Sequence, residues 1–216
     1  MDEHLTETEL KRIRELYEVR YKQFGNDYKT VGWGSIKDQL LRFNMLCRGL
    51  DLTGKTILDI GCGLGDIVPY LEARYPAGFN YTGIDLAPSL VEAAKEEFKQ
   101  PNINFVCGDM SKLDEKDQYD IVLLSGALSY RIQDNESYTK TMLKKLFRMS
   151  REVISLNFLS DYVDYQEEKN FHYSPEEMYQ FAKTLTKWVT IYSDYPLWEF
   201  TIQLRHSPID TSRSDI

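Results

Sequence analysis

The spacing of apolar residues predicts two helices at the start of the chain. Residues 6–24 repeat apolar side chains at helical spacing, and Thr6 followed three positions later by Glu9 is typical of a capping box. After a glycine-bearing break at 28–34, Ser35 is placed to cap a second helix. Both helices precede the first segment that has the composition of a strand.

From Thr56 onward the pattern changes to short apolar runs, five of which lie in this order: TILDI, NYTGID, INFVCGD, YDIVLLS and EVISLNFL. Helical stretches at 66–74, 88–98 and 137–149 separate several of them, and a further helix opens at Ser174. Strands that alternate with helices in this way are typical of a doubly wound α/β domain with a mostly parallel sheet.

Two more apolar runs, WVTIYSDY and WEFTIQLR, are joined through Pro196 and predict a hairpin at the sheet edge. We therefore expect a seven-stranded sheet with an antiparallel C-terminal hairpin strand. The predicted organisation is an N-terminal helical extension at 1–50, an α/β domain at 51–206 and a flexible tail at 207–216.

Composition restricts the partners and the compartment. At 216 residues, with 42% hydrophobic and 28% charged residues, the chain suits one well-cored domain. Its net charge of -8 opposes attraction to nucleic acid, so we expect no nucleic-acid partner. The three scattered cysteines favour a reducing compartment and no metal site. Neither an export signal nor a long apolar span is evident, so we expect a cytoplasmic protein with no membrane partner.

The most informative stretch is the pattern D-x-G-x-G-x-G from Asp59 to Gly65, at the end of the first apolar run. Glycines let the backbone approach a ligand closely, and free amides at the following helix start would favour groups that accept hydrogen bonds. A strand-to-helix turn can also need glycine for steric reasons alone. The rival dinucleotide fingerprint has a small residue where this chain has Asp66, and the Tyr-x-x-x-Lys pattern of NAD-linked oxidoreductases is missing.

Three further markers follow the later runs. Asp85 ends the second run, where a carboxylate can accept hydrogen bonds from both hydroxyls of a ribose, although such an Asp is often only a turn residue. Asp109 follows the third run, and Ser125 with Gly126 ends the fourth. The glycine pattern and these markers, in this order, resemble class I S-adenosylmethionine-dependent methyltransferases.

The resemblance implies a Rossmann-like methyltransferase domain at 51–206, with S-adenosylmethionine as cofactor and S-adenosylhomocysteine as product. It places Asp109 at the adenine amino group and the 1–50 helices over the active site, where Arg42 would bind the methionine carboxylate. The alternative is a purely structural role, in which this helix covers the sheet edge and Trp33 lies in the core. The residues predicted to bind the cofactor are Asp59, Gly61, Cys62, Gly63, Asp85, Leu86, Asp109, Met110, Ser125, Gly126, Trp33 and Arg42.

The sulfonium of such a donor is already electrophilic, so the enzyme mainly has to align a nucleophile and exclude water. A dedicated catalytic residue is not required. If a base is used, His172 is the candidate for it. The alternative is that the His172 side chain is structural or faces the solvent. The residues predicted to contact the acceptor are Tyr21, Tyr28, Ser129, Tyr130 and Tyr173.

The resemblance therefore predicts methyl transfer to an oxygen or nitrogen of a small polar metabolite. Similarity in the GWGS-containing segment points to a sugar or surface-polysaccharide precursor. The stretch SGALSY after the fourth run lacks the Asn/Asp-Pro-Pro-aromatic motif of enzymes that methylate exocyclic amines of bases. Two alternatives stay open: a non-catalytic partner protein that binds S-adenosylmethionine, and a tRNA methyltransferase.

Overall fold

The computed structural model describes residues 4–209, so most of the tail predicted at 207–216 lies outside the described residues. Within them the helices are α1 (Glu7–Phe24), α2 (Ile36–Leu46), α3 (Ile67–Arg74), α4 (Pro88–Glu97), α5 (Asn135–Met149) and α6 (Pro175–Leu185). The strands are β1 (Thr56–Ile60), β2 (Asn80–Asp85), β3 (Ile103–Cys107), β4 (Tyr119–Ser125), β5 (Ser150–Leu159), β6 (Trp188–Tyr192) and β7 (Glu199–Arg205). No helix of this part of the chain is long and apolar enough to span a membrane.

The strands form one sheet in the order β3-β2-β1-β4-β5-β7-β6. Strands β1 to β5 are parallel to one another, whereas β7 runs antiparallel to both β5 and β6. This arrangement confirms the predicted fold class, including the C-terminal hairpin. Because β2, β1 and β4 are adjacent and parallel, the loops that follow them meet at one edge of the sheet, where ligands bind in open α/β folds.

Side-chain caps fix where the helices begin. Thr6 and Glu9 form the predicted capping box, in which the Thr6 N–H donates to Glu9 Oε2 at 2.9 Å and the Glu9 N–H donates to Thr6 Oγ1 at 3.2 Å. Asp134 caps α5 by accepting the Ser137 N–H at 3.0 Å. Helix α5 consequently starts at Asn135, slightly earlier than its apolar pattern predicts.

Helix α1 lies across the carboxyl edge of the sheet and is joined to the loops there by hydrogen bonds and by partly buried apolar side chains, including Tyr17 and Tyr21. Among its residues only Leu10 is buried. Arg14 Nε donates to the Leu86 carbonyl at 3.1 Å, and the carboxylate of Glu18 accepts the Ser89 N–H at 3.0 Å. The helix therefore forms a roof over the edge rather than a layer of the core.

The core on the α5 and α6 face of the sheet centres on Phe158. This residue is fully buried, and its ring centroid lies 4.5 Å from that of Tyr173 and 5.4 Å from that of Phe200. Substituting Phe158→Ala removes a close-packed ring, so we expect the free energy of unfolding to fall by about 3–5 kcal/mol. Urea denaturation measures it.

The matched control for this prediction is Val19→Ala, because Val19 is 61% exposed on α1. We expect that substitution to change the free energy of unfolding by less than about 0.5 kcal/mol. Equal effects of the two substitutions would contradict the packing described for Phe158.

Candidate active site

A cavity of about 280 Å³ opens at the carboxyl edge of the sheet, beneath α1. Its walls come from the loops after β1, β2, β3 and β4, from α1 and α2, and from the segment between those two helices. The volume is close to that of small-molecule sites, which begin at roughly 300 Å³. Every residue that the sequence predicts to contact the cofactor lines this cavity, as do Ser129 and Tyr130 from the predicted acceptor set.

The turn after β1 needs glycine because other parts of the backbone approach it closely. Gly61 has φ +73°, and a Cβ there would lie 2.7 Å from the Ala127 Cβ. Gly63 has φ +55°, and its Cβ would lie 2.6 Å from Val31 Cγ1. The two glycines thus let the β4 loop and the segment before α2 close onto the turn.

The amides of this turn are used by the protein itself. The N–H groups of Gly61 and Cys62 both donate to the Ile84 carbonyl, at 2.8 and 3.1 Å. The Gly63 N–H donates to Asp85 Oδ2 at 2.9 Å. The expectation that the loop offers free amides to a ligand is therefore wrong for these three residues, because their hydrogen bonds fasten β1 to β2.

Asp85 lines the cavity at the end of β2. Its second oxygen, Oδ1, accepts the Ala87 N–H at 2.9 Å, so each oxygen has one backbone donor. Burial raises the pKa of Asp85, and the backbone hydrogen bonds from Ala87 and Gly63 act in the opposite direction. Since a carboxylate oxygen accepts more than one hydrogen bond, Asp85 can still bind donors of a ligand in the cavity.

Several buried side-chain oxygens that line the cavity have no hydrogen-bond partner in the described part of the chain: Asp59 Oδ1, Asp109 Oδ2 and Tyr138 Oη. Leaving a buried polar group unpaired costs about 1–3 kcal/mol each. All three residues border one hollow, which is where a polar ligand would approach them. The residues present therefore fit a nucleoside-like molecule with several hydrogen-bonding groups.

Asp59 is held in place by Tyr81, whose hydroxyl donates to Asp59 Oδ2 at 2.7 Å. Burial raises the pKa of Asp59 to about 7, although the Tyr81 hydrogen bond lowers it. The site thus contains a buried carboxyl group whose second oxygen, Oδ1, has no hydrogen-bond partner in the described part of the chain.

Arg42 lies in a network of hydrogen bonds and an ion pair beside Gly126, the residue that follows β4. Its Nη2 is 2.6 Å from Glu199 Oε2, and its Nε donates to Glu199 Oε1 at 3.1 Å. Asn157 Nδ2 donates to the same carboxylate at 2.6 Å, and Asn157 Oδ1 accepts the Gly126 N–H at 3.0 Å. The guanidinium also lies 3.9 Å from the centroid of the Trp33 ring. Glu199 therefore compensates the charge of Arg42 within the protein.

The structure does not bring His172 or Tyr173 into the cavity, which corrects their predicted roles. His172 borders a separate small depression at the start of α6, and burial together with Arg131 lowers its pKa. Tyr173 is buried, and its hydroxyl bonds with Thr139 at 2.8 Å and donates to the Leu128 carbonyl at 2.9 Å. Both side chains belong to the packing around α5 and α6.

Two other tyrosines predicted to contact the acceptor also lie outside the cavity lining. Tyr21 packs against the small cluster that contains Leu64, and the ring of Tyr28 faces the Lys29 amine at 5.7 Å. Tyr17, one helical turn before Tyr21, lines the cavity instead. The sequence indicates that both lie on the apolar side of α1, but it does not fix the rotation of that helix.

Sequence reasoning also missed Glu199, Asn157 and Tyr138. A signal existed for the first two, because each is a polar residue within an apolar run that becomes a central strand. Buried polar residues of this kind need partners: Glu199 pairs with Arg42, and Asn157 donates to Glu199. Nothing in the local pattern of α5 distinguishes Tyr138 from an ordinary core tyrosine.

Comparison with known proteins gives consistent results. A family model described as a methyltransferase domain matches residues 57–152. A methyltransferase-family protein of Mycobacterium tuberculosis is 33% identical over 160 residues, which cover 69% of this chain and 92% of that protein. Malonyl-[acyl-carrier protein] O-methyltransferase of Acetivibrio thermocellus is 34% identical over 90 residues, which cover 40% of this chain but only 31% of that enzyme.

Solved structures support the same fold. Magnesium protoporphyrin IX methyltransferase of Synechocystis, with bound S-adenosylhomocysteine, superposes with a TM-score of 0.66 at 14% identity and covers 91% of this chain and 99% of that one. The DhpI complex with S-adenosylhomocysteine gives 0.69 at 13% identity, covering 90% and 95% of the two chains. At such identities the likeness concerns the fold.

The matched relative, the family model and the glycine turn together establish the class. The chain belongs to the class I S-adenosylmethionine-dependent methyltransferase family.

The buried carboxyl of Asp59 predicts a specific dependence of stability on pH. Because its pKa in the folded state, about 7, exceeds the ordinary value of 3.8, the folded state binds the proton more tightly and the free energy of unfolding falls as pH rises between these values. Asparagine at this position cannot ionise, so Asp59→Asn avoids the cost of burying a charged carboxylate. We expect it to raise the free energy of unfolding by about 1–3 kcal/mol at pH 8.

Urea denaturation at pH 5 and pH 8 measures the effect, which should be much smaller at pH 5, where Asp59 is protonated in the folded protein. Asp164→Asn, at an exposed position, is the control and should show no such difference. A gain that is the same at both pH values would contradict the role given to burial.

Proposed function

We propose that the cavity binds S-adenosylmethionine and that the chain transfers the methyl group to an oxygen or nitrogen of a small acceptor. The observation that carries this proposal is the convergence of Asp59, Asp85 and Asp109 on one hollow beside the glycine turn. In the proposed complex Asp85 accepts hydrogen bonds from the ribose hydroxyls, and Asp109 Oδ2 accepts one from the adenine amino group. Asp59 Oδ1 then faces the ammonium group.

The bound cofactor would supply a methyl group on an electrophilic sulfonium. The chain contributes positioning and the exclusion of water, since α1 and the segment before α2 close the cavity from above. His172 lies outside the lining, so the proposed mechanism assigns it no proton transfer. Ser129 and Tyr130, which follow β4, are the residues proposed to contact the acceptor.

The residues that line the cavity also indicate the chemical type of the methyl acceptor. The lining includes six aliphatic residues from outside the loops after β1, β2 and β3: Leu5, Ile13, Leu16, Leu128, Ile132 and Leu159. A sugar presents hydroxyl groups over most of its surface, and those that meet aliphatic side chains would lack a partner. We therefore favour a small acceptor that has an apolar portion beside a polar group, in place of the sugar precursor suggested by the sequence.

Calorimetric titration of the folded wild-type protein with S-adenosylhomocysteine tests the proposed function directly. We expect saturable binding at one site per chain, because the carboxylates that line the cavity can accept hydrogen bonds from the ligand. Incubation with methyl-labelled S-adenosylmethionine and a pool of small metabolites should further move label into small molecules. Failure of the folded protein to bind the cofactor product would overturn the proposal, whereas binding without transfer would favour the non-catalytic alternative.

A substitution at the ribose position gives a second test. Asp85→Ala should weaken binding of S-adenosylhomocysteine by about 1–3 kcal/mol, or about 5- to 150-fold, since the ribose hydroxyls lose their acceptor. Asp164→Ala removes an exposed carboxylate of the same size and should leave the dissociation constant unchanged. Thermal melting checks that the turn stays folded, and an unchanged affinity in Asp85→Ala would reject the assignment.

A further inference from the structure

Strand β6 forms an open edge of the sheet. It stands last in the strand order, and within residues 4–209 its only strand partner is β7. An edge strand leaves alternate N–H and C=O groups of its backbone unpaired, so a further strand can be added to it. Proteins commonly protect such an edge with charged residues, proline or a β-bulge.

Strand β6 has none of these protections. Its sequence is WVTIY, which contains no charged residue and no proline, and its pairing with β7 is continuous from Trp188 to Tyr192. Trp188 is 42% exposed, and the other four residues are half-buried. An apolar strand edge of this kind favours association with another strand.

The two faces of β6 differ in their surroundings. Val189 and Ile191 pack against the core on the α5 and α6 face of the sheet. Because side chains alternate along a strand, Trp188, Thr190 and Tyr192 lie on the opposite face. Thr190 is the middle residue of the strand, with two residues on each side.

This sequence is complementary to itself when two copies run antiparallel. With a two-fold axis at Thr190, Thr190 faces its counterpart, Trp188 faces Tyr192 and Val189 faces Ile191. Aromatic pairs and pairs of β-branched residues are among the cross-strand contacts that stabilise a sheet. Both faces of the added strand would therefore be matched, and no like charges would oppose each other within it.

The residues that flank β6 favour the same orientation. Lys187 precedes the strand and has no ion pair in the described part of the chain, whereas Asp194 lies two residues beyond the strand and is exposed. In the antiparallel register Lys187 of one copy faces Ser193 of the other, next to Asp194. Each end of the pair then brings a cation near an anion, whereas parallel pairing in register would bring like charges together.

We propose that two copies of this chain associate through antiparallel pairing of their β6 strands. The result is an isologous dimer with one sheet that continues across both copies. No residue of β6 lines the cavity, so each copy keeps its own site, and the inference does not rest on the proposed function.

Analytical ultracentrifugation of the full chain at about 1–100 µM tests this inference. One chain has a mass of 25.3 kDa, and we expect the wild type to approach the mass of a dimer as its concentration rises. A wild type that keeps the mass of one chain over the whole range overturns the inference.

The residue on the proposed axis provides a specific variant. Thr190→Lys places two positive charges opposite each other, so it should raise the dissociation constant of the dimer by about 10-fold or more. Val19→Lys adds the same charge at an exposed position of α1 and should leave the dissociation constant unchanged. Thermal melting of both variants checks that the chain stays folded. A dimer that Thr190→Lys does not weaken uses another surface and contradicts the proposal.

A charge exchange identifies the pair directly. Thr190→Asp alone should also weaken the dimer, whereas a mixture of Thr190→Asp and Thr190→Lys should form a heterodimer about 10-fold or more tighter than either variant with itself. If the variants at 190 fail to fold, Trp188→Ala removes the proposed aromatic pair at an exposed position and should raise the dissociation constant several-fold. An unchanged constant in that variant would equally reject the β6 interface.

Discussion

The site depends on a turn in which two positions have no room for a side chain. At Gly61 a Cβ would meet the loop after β4, and at Gly63 it would meet the segment that precedes α2. Their close approach brings four separate parts of the chain around one hollow. The amides of Gly61, Cys62 and Gly63 donate hydrogen bonds to β2, so they are not available to a ligand. A ligand in the hollow is therefore bound mostly by side-chain oxygens.

Two buried carboxyl groups beside the hollow reduce the stability of the folded protein. Asp59 keeps one oxygen without a partner although it is buried, and Asp85 is buried as a carboxyl group whose hydrogen bonds come from the backbone. Their presence is accounted for by a ligand that completes the hydrogen bonds, so folding and binding share one set of groups.

The sequence was sufficient for features that depend on neighbouring residues or on parallel strand ends. The glycine turn, Asp85 and Asp109 were predicted together because each follows a strand, and adjacent parallel strands end at one edge. Glu199 was not predicted, since β7 reaches Arg42 only through its insertion between β5 and β6. His172 also follows a strand end, but its side chain turns toward α5 and α6, a direction that sequence spacing does not encode.

The roof formed by α1 has a consequence for the catalytic cycle. The helix is held to the loops by hydrogen bonds and by apolar contacts of Leu10, Ile13, Tyr17 and Tyr21, and opening of these contacts would free a nucleoside bound beneath it. Local opening of this kind needs far less free energy than unfolding of the sheet. The residence time of bound S-adenosylhomocysteine would then depend on how stably α1 is docked. Substitutions in α1 that contact neither substrate could therefore change the rate of product release.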